Sequence, residues 1–424
     1  AGAWCGQNKY LSAIKNAFQN FMPLTIAGAI GVLWCNVLVN ESTGLGIFFK
    51  PIMALEFLNP AFQAVNFCTI SCITVGITLG IAQEIGVWNM GAEKAGYIPG
   101  LVGLAAWLSV TNTSHMVEGA KEAFTGIAGN ELGATGLFTG MIIGVLSVEL
   151  FCFFEKQDAL KIKMPEQVPP GVARAFEVLV PATITLIITA CIGSACYNLT
   201  GLYLNDVIKN GIQGPLGAVG ATIPGVMIIY LVIMLFWLVG IHGNNMLSAV
   251  KEALFTPLAL ENVEKFNKGE KPTNIINMYA LQMWGEFGGS GVTIGLVIAI
   301  MIFGKREDNK AIATLSLVPG LFNINETVTF GIPMVLNPIL GIPFVFACLV
   351  TILVGYVLTV IGFCPVACLT VPWTTPPIVF GFLATGANVM GAVTQAILIV
   401  VSTVIYVPFL IAYEKYQNKQ AAEA

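Results

Sequence analysis

Residues 319–333 read PGLFNINETVTFGIP, a short polar segment enclosed by prolines and glycines. Apolar sequence continues on both sides, so Glu326 is expected to lie at membrane depth. A carboxylate in the membrane interior costs about 2.5 kcal/mol or more, which makes such a residue a functional candidate by default. Broken backbone at that depth is tolerated only where protein or a watery cavity surrounds it. The segment therefore predicts a helical membrane protein with a solute site at Glu326.

The composition of the whole chain agrees with a membrane location. Of its 424 residues, 56% are hydrophobic and 10% are charged, and the mean hydropathy is +0.82. Apolar runs long enough to cross about 30 Å of hydrocarbon recur along the whole length, which predicts an all-α polytopic membrane protein. A net charge of −4 and short basic clusters argue against a nucleic-acid partner. The ten cysteines lack metal-ligand spacing, so neither a metal site nor a cofactor is predicted.

Hydropathy and the positions of Lys and Arg predict the topology. Because cytoplasmic loops carry the Lys/Arg excess, both termini and the 155–176 connection are expected to be cytoplasmic. The overall prediction is about ten transmembrane helices plus two re-entrant hairpins. The clear spans lie at about 20–40, 63–85, 98–111, 134–154, 177–199, 219–240, 341–363 and 388–412.

Two apolar stretches, near 276–303 and 311–338, do not fit a single crossing each. A single crossing by the first would place the basic cluster at 305–310 outside, against the charge rule. Each stretch is therefore predicted to dip in and return, or to hide a further crossing pair. An interrupted pair in the second half of a transporter also indicates where substrate binds. Both stretches have helix breakers at the expected turning points, namely Gly285, Gly288, Gly289, Gly291, Pro319, Gly320, Gly331 and Pro333.

Polar residues of the C-terminal half concentrate in four short segments. These segments are GIHGNN at 240–245, WGEFGGSG at 284–291, FNINET at 322–327 and PWTTPP at 372–377. Imidazole, carboxamide and carboxylate groups hydrogen-bond hydroxyls, and an indole face packs against the C–H face of a pyranose, so together they suit a carbohydrate. The predicted substrate-binding residues are His242, Asn244, Asn245, Gly288, Gly289, Ser290, Asn323, Asn325, Glu326, Trp373 and Thr374.

Each segment also has a structural interpretation. The histidine can be a satisfied structural residue, the glycines a tight hairpin tip, and Trp373 an interfacial anchor. Outside these segments, His115 and Glu118 are interpreted as solvated loop residues, and Glu84 and Glu149 as structural carboxylates.

Several longer strings resemble a known family. WLVGIHGNN at 237–245, GGSGVTIGL at 288–296, PGLFNINETVTFGIPMVLNPILGIPF at 319–344 and PWTTPP resemble enzyme IIC, the membrane permease subunit of bacterial phosphotransferase sugar systems. The lactose/cellobiose/diacetylchitobiose branch is the most similar. Residues 9–29 and 161–181 extend the likeness over nearly the entire chain. Glu286 departs from the family pattern, where an apolar or aromatic residue is usual.

The resemblance implies group translocation of a β-linked disaccharide in the bacterial inner membrane. It implies a dimeric N-terminal scaffold at 1–154, a cytoplasmic amphipathic linker at 155–176, and a C-terminal sugar-transport domain at 177–424 that moves as an elevator. His242 and Glu326 would handle the 6-hydroxyl as the catalytic pair. The phosphoryl donor would be a phosphocysteine on a separate EIIB subunit, with EIIA upstream, so the chain is a transporter subunit of a phosphotransferase complex. The alternative is an ion- or proton-coupled secondary sugar transporter.

Overall fold

The computed structural model describes residues 8–40, 46, 49–115, 124–165, 167–215, 220–332, 334 and 337–423. Helices dominate these residues, and the one sheet among them is a two-stranded antiparallel ladder of β1, Ser114–His115, and β2, Phe124–Thr125. His115 lies on β1, whereas Glu118 and Pro333 lie outside the described residues. The predicted all-α class is therefore confirmed as a predominantly helical fold.

The helices are labelled here in chain order. They are α1 Lys9–Leu33, α2 Asn59–Asn66, α3 Ile73–Met90, α4 Ala92–Ala95, α5 Ile98–Val110, α6 Gly129–Leu132, α7 Ala134–Glu155, α8 Pro170–Thr200, α9 Leu204–Ile208, α10 Ile223–Leu238, α11 Gly243–Met246, α12 Ser248–Asn267, α13 Met278–Gly285, α14 Ile294–Phe303, α15 Glu307–Leu321, α16 Glu326–Gly331, α17 Gly341–Val360, α18 Val379–Ala384 and α19 Val389–Glu423. Short 3₁₀ or π-helical segments occupy Trp34–Leu38, Lys50–Leu58, Phe67–Ser71, Asp158–Leu160, Lys209–Gln213 and Ser290–Val292.

Several of these helices are long and apolar enough to cross a membrane. Among the described residues, five qualify singly, and up to seven qualify if each of two bent pairs counts as one span. Helices α5 and α10 are apolar but shorter. Each clear span predicted from the sequence coincides with a helix or a bent pair, while the total of about ten stays a prediction.

The chain divides into two compact units. The N-terminal unit comprises the described residues of 3–28 and 64–217, and the C-terminal unit comprises those of 29–63 and 218–424. These limits differ from the functional domains predicted above, because the 177–199 span packs within the N-terminal unit and residues 29–63 belong with the C-terminal one. The predicted division into scaffold and transport domain stays a prediction.

Small residues let the helices of the N-terminal unit approach closely. Helix α3 packs against α5 and α7. A Cβ on Gly140 would lie 2.2 Å from Thr78 Oγ1, and one on Gly103 would lie 2.3 Å from Ala82 Cβ. Lipid tails are as apolar as leucine, so membrane helices associate through such close packing rather than through a hydrophobic drive. These glycines therefore set the helix spacing in this unit.

A buried ionic cluster joins α4, α7 and α8 at one end of the N-terminal unit. Glu155, the last residue of α7, is 1% exposed and lies 2.8 Å from Lys94 Nζ and 3.0 Å from Arg174 Nη1. Arg174 also contacts Glu177, at 2.7 Å. A carboxylate this deep is stable only when its charge is compensated. The cluster therefore fixes the residues on both sides of the 156–169 connection.

Two other carboxylates of this unit have protein partners. Asn16 Nδ2 donates to Glu84 Oε2 at 2.9 Å, and Lys9 Nζ lies 2.6 Å from Glu149 Oε1. Both contacts agree with the structural role expected for these two acids.

Both stretches predicted to be re-entrant are interrupted helices in the C-terminal unit. In the first, the Met278–Val292 segment meets α14 at a bend of 60°. In the second, α15 ends at Leu321 and α16 begins at Glu326. Asn277 caps α13 by accepting hydrogen bonds from the amides of Tyr279 and Ala280, a role that asparagine favours at helix starts. The chain segments at these two breaks form the setting of the candidate site.

Replacing Glu155 by alanine is expected to destabilise the N-terminal unit. The change leaves Arg174 and Lys94 without a buried counter-charge, and breaking a buried pair from one side costs about 3 kcal/mol or more. The midpoint of thermal unfolding of the purified protein in detergent measures this loss.

Glu264→Ala is the matched control. Its pair with Lys268, at 2.7 Å, is exposed on both sides, and such pairs contribute at most about 1 kcal/mol. Equal shifts in the two variants would show that the buried cluster is not stabilising.

Candidate functional site

His242 and Glu326 face each other across the C-terminal unit's interrupted helices. His242 follows α10 and caps α11, and its Nδ1 accepts a hydrogen bond from the Asn245 amide at 3.2 Å. Its Nε2 lies 3.8 Å from Glu326 Oε1, and the two side chains are 38% and 47% exposed. The sequence-predicted pair is therefore brought together and open to a ligand.

The hydrogen bond at Nδ1 sets the chemistry of the pair. A neutral imidazole has one donor and one acceptor nitrogen. Because Nδ1 accepts, the ring proton lies on Nε2, which points at Glu326. The 3.8 Å separation is too long for a direct hydrogen bond, but a single hydroxyl oxygen about 2.8 Å from both atoms fits it. Such a hydroxyl would accept from His242 and donate to Glu326.

The ring of His242 is also held from behind by Trp237. The two ring centroids are 4.4 Å apart, and the indole is 3% exposed. The backbone bond and this packing together leave the imidazole little freedom to turn.

Asn244 connects the histidine segment to the first interrupted helix. Its Nδ2 donates to Ser290 Oγ at 2.8 Å, and Ser290 is 3% exposed. Asn245, by contrast, is exposed, and its contacts with His242 and Ser248 run through its main chain.

Two asparagines connect the second interrupted helix to its neighbours. Asn325, 4% exposed, donates through Nδ2 to the Ser290 carbonyl at 2.9 Å and to Thr329 Oγ1 at 3.2 Å. Asn323 accepts from the Gly288 amide at 2.6 Å and donates to the Thr375 carbonyl at 3.0 Å.

Asn323 also donates to the Trp373 carbonyl. It adopts φ +63°, a left-handed conformation that asparagine tolerates better than most residues. Both hydrogens of its amide are thereby given to the PWTTPP loop.

Gly289 is needed where the two interrupted helices meet. Its φ is +86°, and a Cβ there would lie 2.6 Å from Asn325 Cβ. Only glycine allows this approach, because any side chain would push Asn325 away. Gly288, with φ +68°, makes the turn that presents its amide to Asn323.

Trp373 and Thr374 lie on the loop that Asn323 holds. The indole is 45% exposed, and Thr374 is half-buried. The segment thus offers an aromatic face at a position fixed through its main-chain carbonyls.

The sequence reasoning missed Lys251 and Tyr230. The charge rule alone reads a lysine after the 219–240 span as a cytoplasmic loop cation, but the structure buries Lys251 on α12, where it pairs with Glu286. Tyr230 donates to Glu286 Oε1 at 2.6 Å. The spacing of seven residues between Asn244 and Lys251, about two helical turns, was the available signal. No group of three or more His, Cys, Asp or Glu in the described part of the chain is arranged to hold a metal ion.

The fold and the site define a membrane permease whose polar site is built on interrupted helices. A sequence model of the family described as "Phosphotransferase system, EIIC" matches residues 15–348. The chain belongs to this family, as the sequence resemblance predicted.

Individual relatives are similar over almost their whole length. The oligo-beta-mannoside-specific EIIC component of Bacillus subtilis (strain 168) is 34% identical, over 96% of this chain and 90% of the relative. The cellobiose-specific EIIC component of Lactococcus lactis subsp. lactis (strain IL1403) is 29% identical, over 98% and 96%. The crystal structure of ChbC, the IIC component of the N,N'-diacetylchitobiose-specific phosphotransferase system, superposes with a TM-score of 0.90 at 29% identity, covering 99% of this chain and 97% of ChbC.

Gly289→Ala is expected to loosen the junction between the two interrupted helices. At φ +86° and ψ −175°, Gly289 occupies a backbone region essentially confined to glycine, so alanine costs about 1–3 kcal/mol there. The clash with Asn325 adds roughly 1–3 kcal/mol of overpacking. The unfolding midpoint in detergent should fall accordingly.

Gly362→Ala separates these two terms. Gly362 has φ +79° but nothing within 4 Å of its Cβ position, so alanine there has a positive-φ backbone cost without the clash. An equal loss in both variants would contradict the close approach at Gly289.

Proposed function

We propose that the chain is the permease of a phosphotransferase system for a β-linked disaccharide, and that His242 and Glu326 bind the hydroxyl that receives the phosphoryl group. The observation that carries this proposal is the 3.8 Å gap between His242 Nε2 and Glu326 Oε1, with its donor on one side and its acceptor on the other. The substrate class is supported by the relatives named for β-mannosides, cellobiose and diacetylchitobiose.

The pair has unequal roles in the proposed transfer. Glu326 accepts the hydroxyl proton as the oxygen attacks, and His242 orients the oxygen by donating to it. The O–P bond forms as the S–P bond of a phosphocysteine on an EIIB partner breaks, and the thiolate leaves with EIIB. The chain supplies position and a proton acceptor, which is most of what phosphoryl transfer requires from a protein. EIIA would rephosphorylate EIIB upstream.

The remaining predicted residues fall into three groups. Asn244 and Trp373 offer partly exposed side chains that a sugar can meet, whereas Ser290 is 3% exposed and is held by Asn244. The side-chain amides of Asn323 and Asn325 donate hydrogen bonds to carbonyl and hydroxyl oxygens of the protein itself. This favours a role in holding the segments together. Gly288 and Gly289 allow the close backbone approach.

Transport by an elevator motion of one domain is supported by where the site residues lie. All of them fall between 242 and 374, within the C-terminal compact unit. A solute held there would move with that unit as one body. The N-terminal spans, with their glycine-based close packing, would form the fixed scaffold and the two-fold dimer, in a bacterial inner membrane with both termini cytoplasmic.

Loss of phosphorylation in two variants tests the proposed function. Glu326→Gln removes the proton acceptor and His242→Ala removes the orienting donor, so each should lower sugar phosphorylation at least about 100-fold. The measurement is formation of sugar phosphate by reconstituted vesicles supplied with EIIB and a phosphoryl source.

The exposed Glu264→Gln variant serves as the control and should keep full activity. Near-normal phosphorylation by both site variants would refute the assignment. Gradient-driven uptake of unmodified sugar by the wild type would instead favour a secondary transporter.

Crosslinking tests the proposed dimer. Cysteine pairs placed on the lipid-facing surface of the N-terminal spans should give covalent dimers in native membranes. Crosslinks confined to C-terminal helices would contradict an N-terminal scaffold.

A further inference from the structure

Lys251 and Glu286 form a buried ion pair beside the candidate site. Their side chains are 7% and 17% exposed, and the ammonium contacts Glu286 Oε1. A buried pair of this kind is on average no more stabilising than apolar residues of similar volume, because both ions lose their hydration. Ionisable residues at membrane depth are, by default, functional candidates. Stability alone therefore does not explain the pair.

The two oxygens of Glu286 have different surroundings. Tyr230, which is fully buried, donates to Oε1 at 2.6 Å, the same oxygen that Lys251 contacts. In the described part of the chain, Oε2 makes no hydrogen bond. A carboxylate can accept about four hydrogen bonds. One oxygen is thus fixed by the protein, and the other retains its capacity to accept.

The pair is linked to the site on both sides. Lys251 Nζ lies 3.4 Å from Asn244 Oδ1, and Asn244 donates to Ser290. The Glu286 carbonyl accepts from the Gly289 amide at 3.0 Å, so Glu286 begins a turn that contains Gly288 and ends directly before Ser290. The carboxylate and the His242 segment therefore share one hydrogen-bonded frame.

We infer that Glu286 is a further sugar-binding residue, which accepts a hydrogen bond from a substrate hydroxyl other than the one at His242 and Glu326. Lys251 is a positioning residue that holds Glu286 and Asn244 in register. The inference rests on the proposed function, because it assigns a second hydroxyl contact within the same site. The two carboxylates then bind different hydroxyls. Glu326 accepts the proton of the hydroxyl that reacts, and the hydrogen bond to Glu286 contributes to sugar specificity.

Deoxy sugars test this inference directly. Binding of cellobiose and of each of its monodeoxy analogues is measured by calorimetry on the purified full chain in detergent. A hydrogen bond to a charged group is worth roughly a tenfold change in affinity or more. The wild type should bind two analogues at least about tenfold more weakly than cellobiose. These are the 6-deoxy analogue and one other, whose missing hydroxyl is the partner of Glu286.

The double variant Lys251→Met/Glu286→Leu replaces the ion pair by apolar side chains of similar size. It should bind cellobiose and that second analogue within about twofold of each other, while the loss for the 6-deoxy sugar persists. Glu286→Gln, which keeps the shape, should reduce the same discrimination and no other. The single variant Lys251→Met should reduce the same discrimination between cellobiose and the second analogue if Lys251 positions Glu286.

A merely structural pair gives a different result. Uniform weakening toward all analogues, or unchanged discrimination in both Glu286 variants, would overturn the inference. Unfolding midpoints identify any variant that fails to fold, and Glu286→Gln then carries the test alone. If the wild type binds no β-linked disaccharide, the proposed function fails; if it binds them but shows no coupling to Glu286, only this inference fails.

Discussion

Backbone groups freed at a break in a membrane helix must find partners inside the protein, because lipid offers none. In this chain the side chains of two asparagines hydrogen-bond several of these backbone groups. Asn325 satisfies the Ser290 carbonyl, and Asn323 satisfies the Gly288 amide and the carbonyls of the PWTTPP loop. Three separate segments are thereby held in one arrangement. The distance between His242 and Glu326, and hence the chemistry proposed for them, depends on this arrangement.

The same frame gives its two carboxylates different surroundings, which suit the different tasks proposed for them. Glu286 has a buried cation and a tyrosine hydroxyl on one oxygen, so its charge is compensated and its position fixed. In the described part of the chain, no lysine or arginine lies within ion-pair distance of Glu326, and the imidazole that faces it keeps its proton on the facing nitrogen. A compensated carboxylate suits recognition, whereas an uncompensated one suits accepting a proton. Environment, rather than residue type, separates the two proposed roles.

Sequence reasoning pointed to the candidate site because a carboxylate at membrane depth is costly and because prolines and glycines break helices wherever they stand. Both features are local, so they could be recognised without a fold. Lys251 was missed for the opposite reason: a lysine after a span resembles a loop cation, and its burial depends on Glu286, a partner 35 residues away. The limits of the two compact units could not be predicted from the sequence either. Hydropathy shows that 177–199 is apolar, but only its packing partners show which unit it joins.

The loop at 373–375 is held by hydrogen bonds to its carbonyl oxygens, and every amino acid has a carbonyl oxygen. Hydrogen bonds to the main chain do not depend on which side chains the loop has. Residues 373 and 374 can therefore change during evolution without loosening the frame that positions His242 and Glu326. Point substitutions at 373 and 374 would thus change the surface that the loop presents to a solute, while the backbone frame behind it is inherited intact.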